Sequence, residues 1–266
     1  MNPDDIPDFV RNSVSWNPWH GCHRVSDGCL NCYMFVGDKS RGISDSGIVR
    51  RSKTQFDLPL RKDRRGKYLL RERLILTSMT SDFFIEEADA WRDEAWSIIR
   101  KRKDCTFIIL TKRPQRIPDC LPADWGDGYP NVRLSVSVEN QYTWDERVPL
   151  LCAVPARKYD VFMAPMIGPI LTDDLLDWYP ISCIYLGGEY GPDSRPCDYD
   201  WVLEVRESCI VHDVTFHWRN CGQVLIKGGQ VFEDLSLEDQ GRICCSAHLD
   251  HIVDDIMPKF KQTTLM

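Results

Sequence analysis

The sequence predicts an α/β protein in which repeated βα units are laid around one parallel sheet. Three observations carry this. Short apolar, β-branched runs alternate with amphipathic stretches from residue 74 onward, and the residues directly after each run are polar. In addition, 266 residues with 43% hydrophobic content are enough to bury a large core. A 27% charged fraction with 16 Gly and 16 Pro excludes a disordered or collagen-like chain.

A strand at residues 14–16 opens the series, and six more follow. The run at 74–79 (Leu-Ile-Leu-Thr-Ser-Met) is the first of these, and the helix expected at 88–101 packs back on it through Trp91, Ala95, Trp96, Ile98 and Ile99 on a helical period. A strand at 106–111 leads into a short or broken helix, because Pro114, Pro118, Pro122 and Gly126 punctuate the chain before the strand at 132–138. A helix at 140–151 and strands at 160–164, 183–186 and 214–218 complete the pattern, with a helix at 201–211 between the last two. Residues 1–231 are expected to form this unit. Residues 232–266, with Cys244, Cys245, His248 and His251, read as an appended helical extension.

In α/β barrels the loops at the C-terminal ends of the strands build the active site, so the strand exits matter most. Here they carry Ser78, Thr80 and Asp82, then Lys112 and Arg113, then Ser137, Glu139 and Asn140. Gly187, Gly188 and Glu189 follow, and finally Arg219, Asn220 and Cys221. At any one of these positions a helix cap is the plain alternative.

No uncharged apolar run approaches the ~18 residues that span a bilayer. The N-terminus, Met-Asn-Pro-Asp-Asp-Ile-Pro-Asp, is acidic and lacks the apolar core of a signal peptide, so a cytoplasmic protein with reduced thiols is expected. The net charge of −7 argues against nonspecific coating of nucleic acid. That average hides a segment at residues 50–73, from Arg50 to Arg73, where ten basic residues stand against three acidic ones. It is either a solvated face or an anion and nucleic-acid contact.

Most of the twelve cysteines suit the role of small buried hydrophobes, as at Cys105, Cys152, Cys183 and Cys209. Cys22, Cys29 and Cys32 differ. A Cys-x2-Cys pair lets two thiolates grip one metal centre, and Cys22 can close a third position through the turn at Gly28. With His20 or His23 the set is a structural Cys3His zinc site; without a fourth protein ligand it suits a [4Fe-4S] cluster with one open iron. Both readings stand on the residues alone.

The string Trp16-Asn-Pro-Trp-His-Gly-Cys22 with Val25-Ser-Asp-Gly-Cys29-Leu-Asn-Cys32-Tyr33 resembles a phage-borne family of three-Cys-motif proteins, radical-SAM-like and of unsettled function. Phe107-Ile-Ile-Leu-Thr-Lys-Arg-Pro114, Asn131-Val-Arg-Leu-Ser-Val-Ser-Val-Glu-Asn140 and Leu186-Gly-Gly-Glu-Tyr-Gly191 with Arg195-Pro196 are similar to its later blocks, in the same order. The resemblance implies a partial (β/α) barrel whose [4Fe-4S] cluster on Cys22, Cys29 and Cys32 cleaves S-adenosylmethionine reductively, fed by an electron donor of flavodoxin or ferredoxin type. Tyr33, Ser78, Ser137, Glu139, Asn140, Gly187, Gly188 and Glu189 are then the candidates for holding the cofactor. Lys112 and Cys221 are the candidates for catalysis, Cys221 as a hydrogen-atom donor.

The chain departs from the expected patterns in four places, one being that Gly187-Gly188-Glu189 lies too late in the chain to be the early Gly-Gly-Glu motif that usually holds the methionine amine. Its spacing is Cys-x6-Cys-x2-Cys, where most radical SAM enzymes have Cys-x3-Cys-x2-Cys. It reads Phe162-Met-Ala-Pro165 where a Ser-x-Glu-Pro block is expected, and Trp218-Arg-Asn-Cys-Gly222 near the last strand. Phage association and the basic segment point to a nucleobase, free or in nucleic acid, as substrate. A zinc-stabilised module binding nucleic acid or a protein partner is the alternative.

Overall fold

The computed structural model describes residues 13–71, 73–191 and 193–253. The acidic N-terminal stretch before residue 13, Glu72 of the basic segment, and the tail from residue 254 lie outside the described residues.

The chain enters through β1 (Ser13–Trp16) and then a short β2 (Trp19–His20), which pairs antiparallel with β3 (Arg50–Arg51). Between them lies the cysteine loop with α1 (Tyr33–Ser40). The repeating part follows as β4 (Leu74–Thr77), α2 (Asp89–Lys101), β5 (Thr106–Thr111), α3 (Ile117–Cys120), β6 (Val132–Ser137), α4 (Gln141–Cys152) and β7 (Tyr159–Met163). It continues through α5 (Asp173–Trp178), β8 (Ile181–Gly187), β9 (Cys197–Asp198), α6 (Tyr199–Val211) and β10 (Thr215–Asn220). A hairpin of β11 (Leu225–Lys227) and β12 (Gln230–Phe232) precedes α7 (Leu237–Ala247).

Seven strands form one sheet in the order β1-β4-β5-β6-β7-β8-β10, every neighbouring pair parallel, and the sheet curves into a half-barrel. Strands covered on both faces need apolar residues on both, which is why β4 and β5 read as near-continuous runs. One face packs Leu74, Leu76, Ile108, Phe162, Cys183 and Tyr185 inside the curve, while alternate residues such as Ile75, Phe107, Ile109 and Ile184 join the larger core beneath the helices. At the sheet's edges, β1 bonds only to β4 among the described strands, whereas β10 gains an antiparallel bridge from Phe216 to His251.

The seven strands lie where the sequence predicts them, with small differences at their ends. The run at 74–79 stops as a strand at Thr77, because Ser78 turns into the left-handed region at φ 62°. Helix α5 and the β11–β12 hairpin carry no counterpart in the sequence reading. The hairpin turns on Gly228 and Gly229, both at positive φ (57° and 75°), as a two-residue turn of this hand requires.

The basic segment runs down the flank of the half-barrel. Its start, β3, lies beside the cysteine loop, with Arg50 paired to Asp45 and Arg51 to Glu94. Its far part is held by the buried Arg102, between α2 and β5, which donates to the carbonyls of Pro59 and Leu70 and stacks on Tyr68 at 4.1 Å. Residues 59–70 therefore sit at the N-terminal ends of the strands. Lys62, Arg64, Arg65 and Lys67 are exposed there, around a turn that Asp63 closes by accepting the N–H groups of Arg65 and Lys67.

Candidate functional site

A cavity of about 590 Å³ opens at the C-terminal ends of the strands. Every strand exit of the sheet contributes to its wall: Asn17 after β1, Ser78 after β4, Lys112 after β5, Ser137 at β6, Ala164 after β7, Gly188 after β8 and Asn220 at β10. Cys22, Cys29 and Cys32 all line it as well. The exits that the sequence singles out therefore converge on one space, with the three thiols on its wall.

The cysteine loop is built to sit there. Gly21 lies at φ 102°, and a Cβ on it would fall 2.4 Å from the Ile48 carbonyl oxygen, so only glycine lets the chain bend into Cys22. Cys29 ends a short 3-10 turn (Asp27–Cys29), and Cys32 is the residue before α1. Long-range polar contacts pin the loop to the barrel. Ser26 Oγ donates to Glu139 at 2.8 Å, Asn31 Nδ2 donates to Glu189 at 3.0 Å, and Arg195 donates to the Asp27 carbonyl at 2.9 Å. Gly28 rests directly on Glu139: a Cβ there would lie 2.3 Å from its Cγ.

The two buried glutamates thus hold the loop. Glu139 pairs with Lys112 and, at 3.2 Å, with Arg147. Burial alone would raise its carboxyl, but these cations more than offset that and hold it below the usual range. Glu189 accepts from Arg195 Nε and N–H, both at 2.9 Å, and is likewise held low against burial. Asn140 is the N-cap of α4, its Oδ1 accepting from Thr143 N–H at 3.1 Å in a capping box. It does not line the cavity, and neither does Gly187.

Gly188 does line the cavity, and it permits a close backbone crossing: a Cβ there would fall 2.5 Å from the Cys221 carbonyl oxygen. Tyr33 lines the wall and donates to the Met79 carbonyl. Ser137 is buried on the wall. Ser78 lines the cavity and is 3% exposed, and its buried Oγ has no hydrogen-bond partner among the described residues. An orphaned buried hydroxyl beside a cavity is a place for a ligand. Cys221 is fully buried and outside the lining, beneath α7.

The three thiols differ in environment. Burial and the nearby Asp82 push Cys22 up to about 11, against the opposing Arg113. Burial would also raise Cys29, but the Lys112 ammonium and the N–H groups of Val25 and Ser26 bring it below the ordinary thiol value. Cys32 is raised by burial. Both imidazoles of the Cys3His alternative turn to carboxylates, His20 Nε2 to Asp38 at 2.8 Å and His23 to Glu87. Among the described residues no three His, Cys, Asp or Glu side chains converge on the position of a single ion. Cys22, Cys29 and Cys32 line one cavity, and three thiols are donors of the kind and number that a [4Fe-4S] cluster takes when one iron is left open.

Sequence reasoning passed over Asn31, Arg195 and Arg147 as partners of the site. The spacing of Glu189 and Arg195 within one block was the available signal for one of them. The family model that matches covers residues 10–255 and is described as a protein of unknown function (DUF5131). Comparison with curated proteins and with solved structures finds no match.

Proposed function

The chain belongs to the DUF5131 family of unknown function, and from the chemistry of its cavity we propose that it is a radical S-adenosylmethionine enzyme. In this reading Cys22, Cys29 and Cys32 hold a [4Fe-4S] cluster, and the substrate is a nucleobase, free or within a nucleic acid. One observation carries it: the three cysteines line the same cavity as the exits of all seven parallel strands. In a barrel of this kind that end is where chemistry is built.

The bound cluster would supply the electron for reductive cleavage of S-adenosylmethionine, with the electron delivered by a flavodoxin- or ferredoxin-type donor. The chain's own residues orient and enclose. Ser78 and Ser137 offer hydroxyls to polar ends of a bound molecule, and Lys112 places a positive charge between Glu139 and Cys29. Leu76, Leu110 and Phe162 form an apolar wall that excludes water. Glu139 and Glu189, with their oxygens taken by cations and by the loop, act as positioning groups. The exposed cations at residues 62–67 lie at the opposite end of the strands from the cavity, so they would supply phosphate contacts only to a polynucleotide that runs the length of the flank.

Anaerobic purification with metal analysis tests the reading. About four irons per chain are expected, with 5′-deoxyadenosine released when reductant and S-adenosylmethionine are added. Stoichiometric zinc and no iron after anaerobic reconstitution overturns it in favour of the zinc-stabilised binding module.

A further inference from the structure

Arg113 follows Lys112 at the exit of β5, and its buried guanidinium lies between three groups. Nη1 donates to Asp82 Oδ2 at 3.0 Å and lies 3.9 Å from Cys22 Sγ, while Nη2 donates to the His23 carbonyl at 3.0 Å. Asp82 is itself fixed. Its Oδ1 accepts from Thr111 Oγ1 at 2.7 Å and from Phe84 N–H at 2.9 Å, and its Oδ2 accepts from Lys112 N–H at 2.9 Å. Thr111 Oγ1 also accepts the Arg113 N–H at 2.8 Å, so backbone and side chain are held by one network. This cation has no room to swing away from the sulfur. Lys112, the neighbouring cation, is committed to Glu139.

We propose that Arg113, held by Asp82, raises the electron affinity of the metal centre through the Cys22 sulfur and so balances the opposing charge of Asp82. The proposal rests on the reading of Cys22 as a cluster ligand. An N–H donor and a fixed positive charge at a ligand sulfur withdraw electron density and favour the reduced, more negative state of the centre. In a buried site the effect is larger than in water, because little solvent screens it. Arg113 touches a ligand and not the substrate, so it acts as a positioning and tuning residue.

The test is a redox titration followed by electron paramagnetic resonance on the full chain, reconstituted anaerobically, for wild type, Arg113→Gln, Asp82→Asn and the double variant. Arg113→Gln is expected to keep its iron while the reduced-to-oxidised ratio at a fixed potential falls at least tenfold, about 59 mV for one electron. The double variant removes both charges of the pair and is expected to return close to the wild-type ratio. An intact cluster with an unchanged ratio in Arg113→Gln overturns the proposal. So does a double variant that stays as low as the single one, because the shift then comes from disturbed packing. Should Arg113→Gln fail to fold by circular dichroism, Asp82→Asn carries the test from the other side. It leaves the Arg113 charge unopposed and is expected to raise the ratio about tenfold, and a ratio unchanged or lowered overturns the proposal. Wild-type protein that takes up no iron overturns the cysteine reading itself, a result distinct from all of these.

Discussion

The first and last strands of the half-barrel each release the chain into a turn that bears cysteine, and the two turns differ in what surrounds them. After β1, Cys22, Cys29 and Cys32 face the cavity, with Lys112, Arg113, Asp82 and Glu139 close behind. After β10, Cys221 is sealed against Cys244 of α7, close enough to share a hydrogen bond, with Cys197 of β9 beside them. Burial pushes the Cys197 thiol up to about 12 and the Cys244 thiol up as well. Three neighbouring sulfurs can thus lie sealed in a core as well as along a cavity wall. Under the proposed reading, the cavity and its fixed charges distinguish the two sets, even though both follow a strand of the same sheet.

The largest expected effect tests this contrast directly. Cys22→Ala, Cys29→Ala and Cys32→Ala should each remove most of the iron, measured by plasma emission on anaerobically reconstituted protein, whereas Cys221→Ala and Cys244→Ala should keep it. Iron lost from either of the latter pair breaks the comparison. What those two variants are expected to lose is packing, about 1–2 kcal/mol of unfolding free energy in a urea titration.

Ser78 sharpens the comparison from the ligand side. Its Oγ has no partner among the described residues to lose, so Ser78→Ala should leave the thermal midpoint unchanged. The affinity for S-adenosylmethionine, measured by calorimetry, is expected to fall about three- to tenfold, the loss of one hydrogen bond of ~0.5–1.5 kcal/mol. A matched affinity would remove Ser78 from the binding groups.

The smallest expected effect on the centre lies at the far end of the flank. Replacing Lys62, Arg64, Arg65 and Lys67 by Ala should leave the iron untouched. It should also flatten the log–log salt dependence of nucleic-acid binding by up to about four. An unchanged slope in a gel-shift titration would assign that end of the segment to solvent.

Much of the fold was legible because a strand buried on both faces must be apolar throughout, and a helix beside it must be so on one side only. The run at 106–111 shows this directly, whereas 132–138 alternates valine and leucine with the buried Arg133, Ser135 and Ser137. The end of β4 at Ser78 was not legible, since a left-handed serine has no mark in composition. Asn140 could have been read as a cap from Thr143 three residues on, for Asn-x-x-Thr is able to close a capping box. The roles of Glu139 and Glu189 lay beyond reach for a different reason. Their contacts with the cysteine loop, Ser26 and Asn31, join residues 113 and 158 positions apart, and no local pattern records such a pairing. Cys221 looked available at a strand exit because nothing near it in the chain shows that α7 folds over it.

The position of β1 at the rim of the sheet bears on how the molecule breathes. A strand with one partner opens locally at lower free energy than one flanked on both sides, and the cysteine loop hangs from this strand. Whatever binds only the closed loop must therefore hold that rim shut by mass action. Amide hydrogen exchange at Ser13–Trp16 should slow when the centre is filled, while exchange in Val132–Ser137, at the middle of the sheet, stays the same.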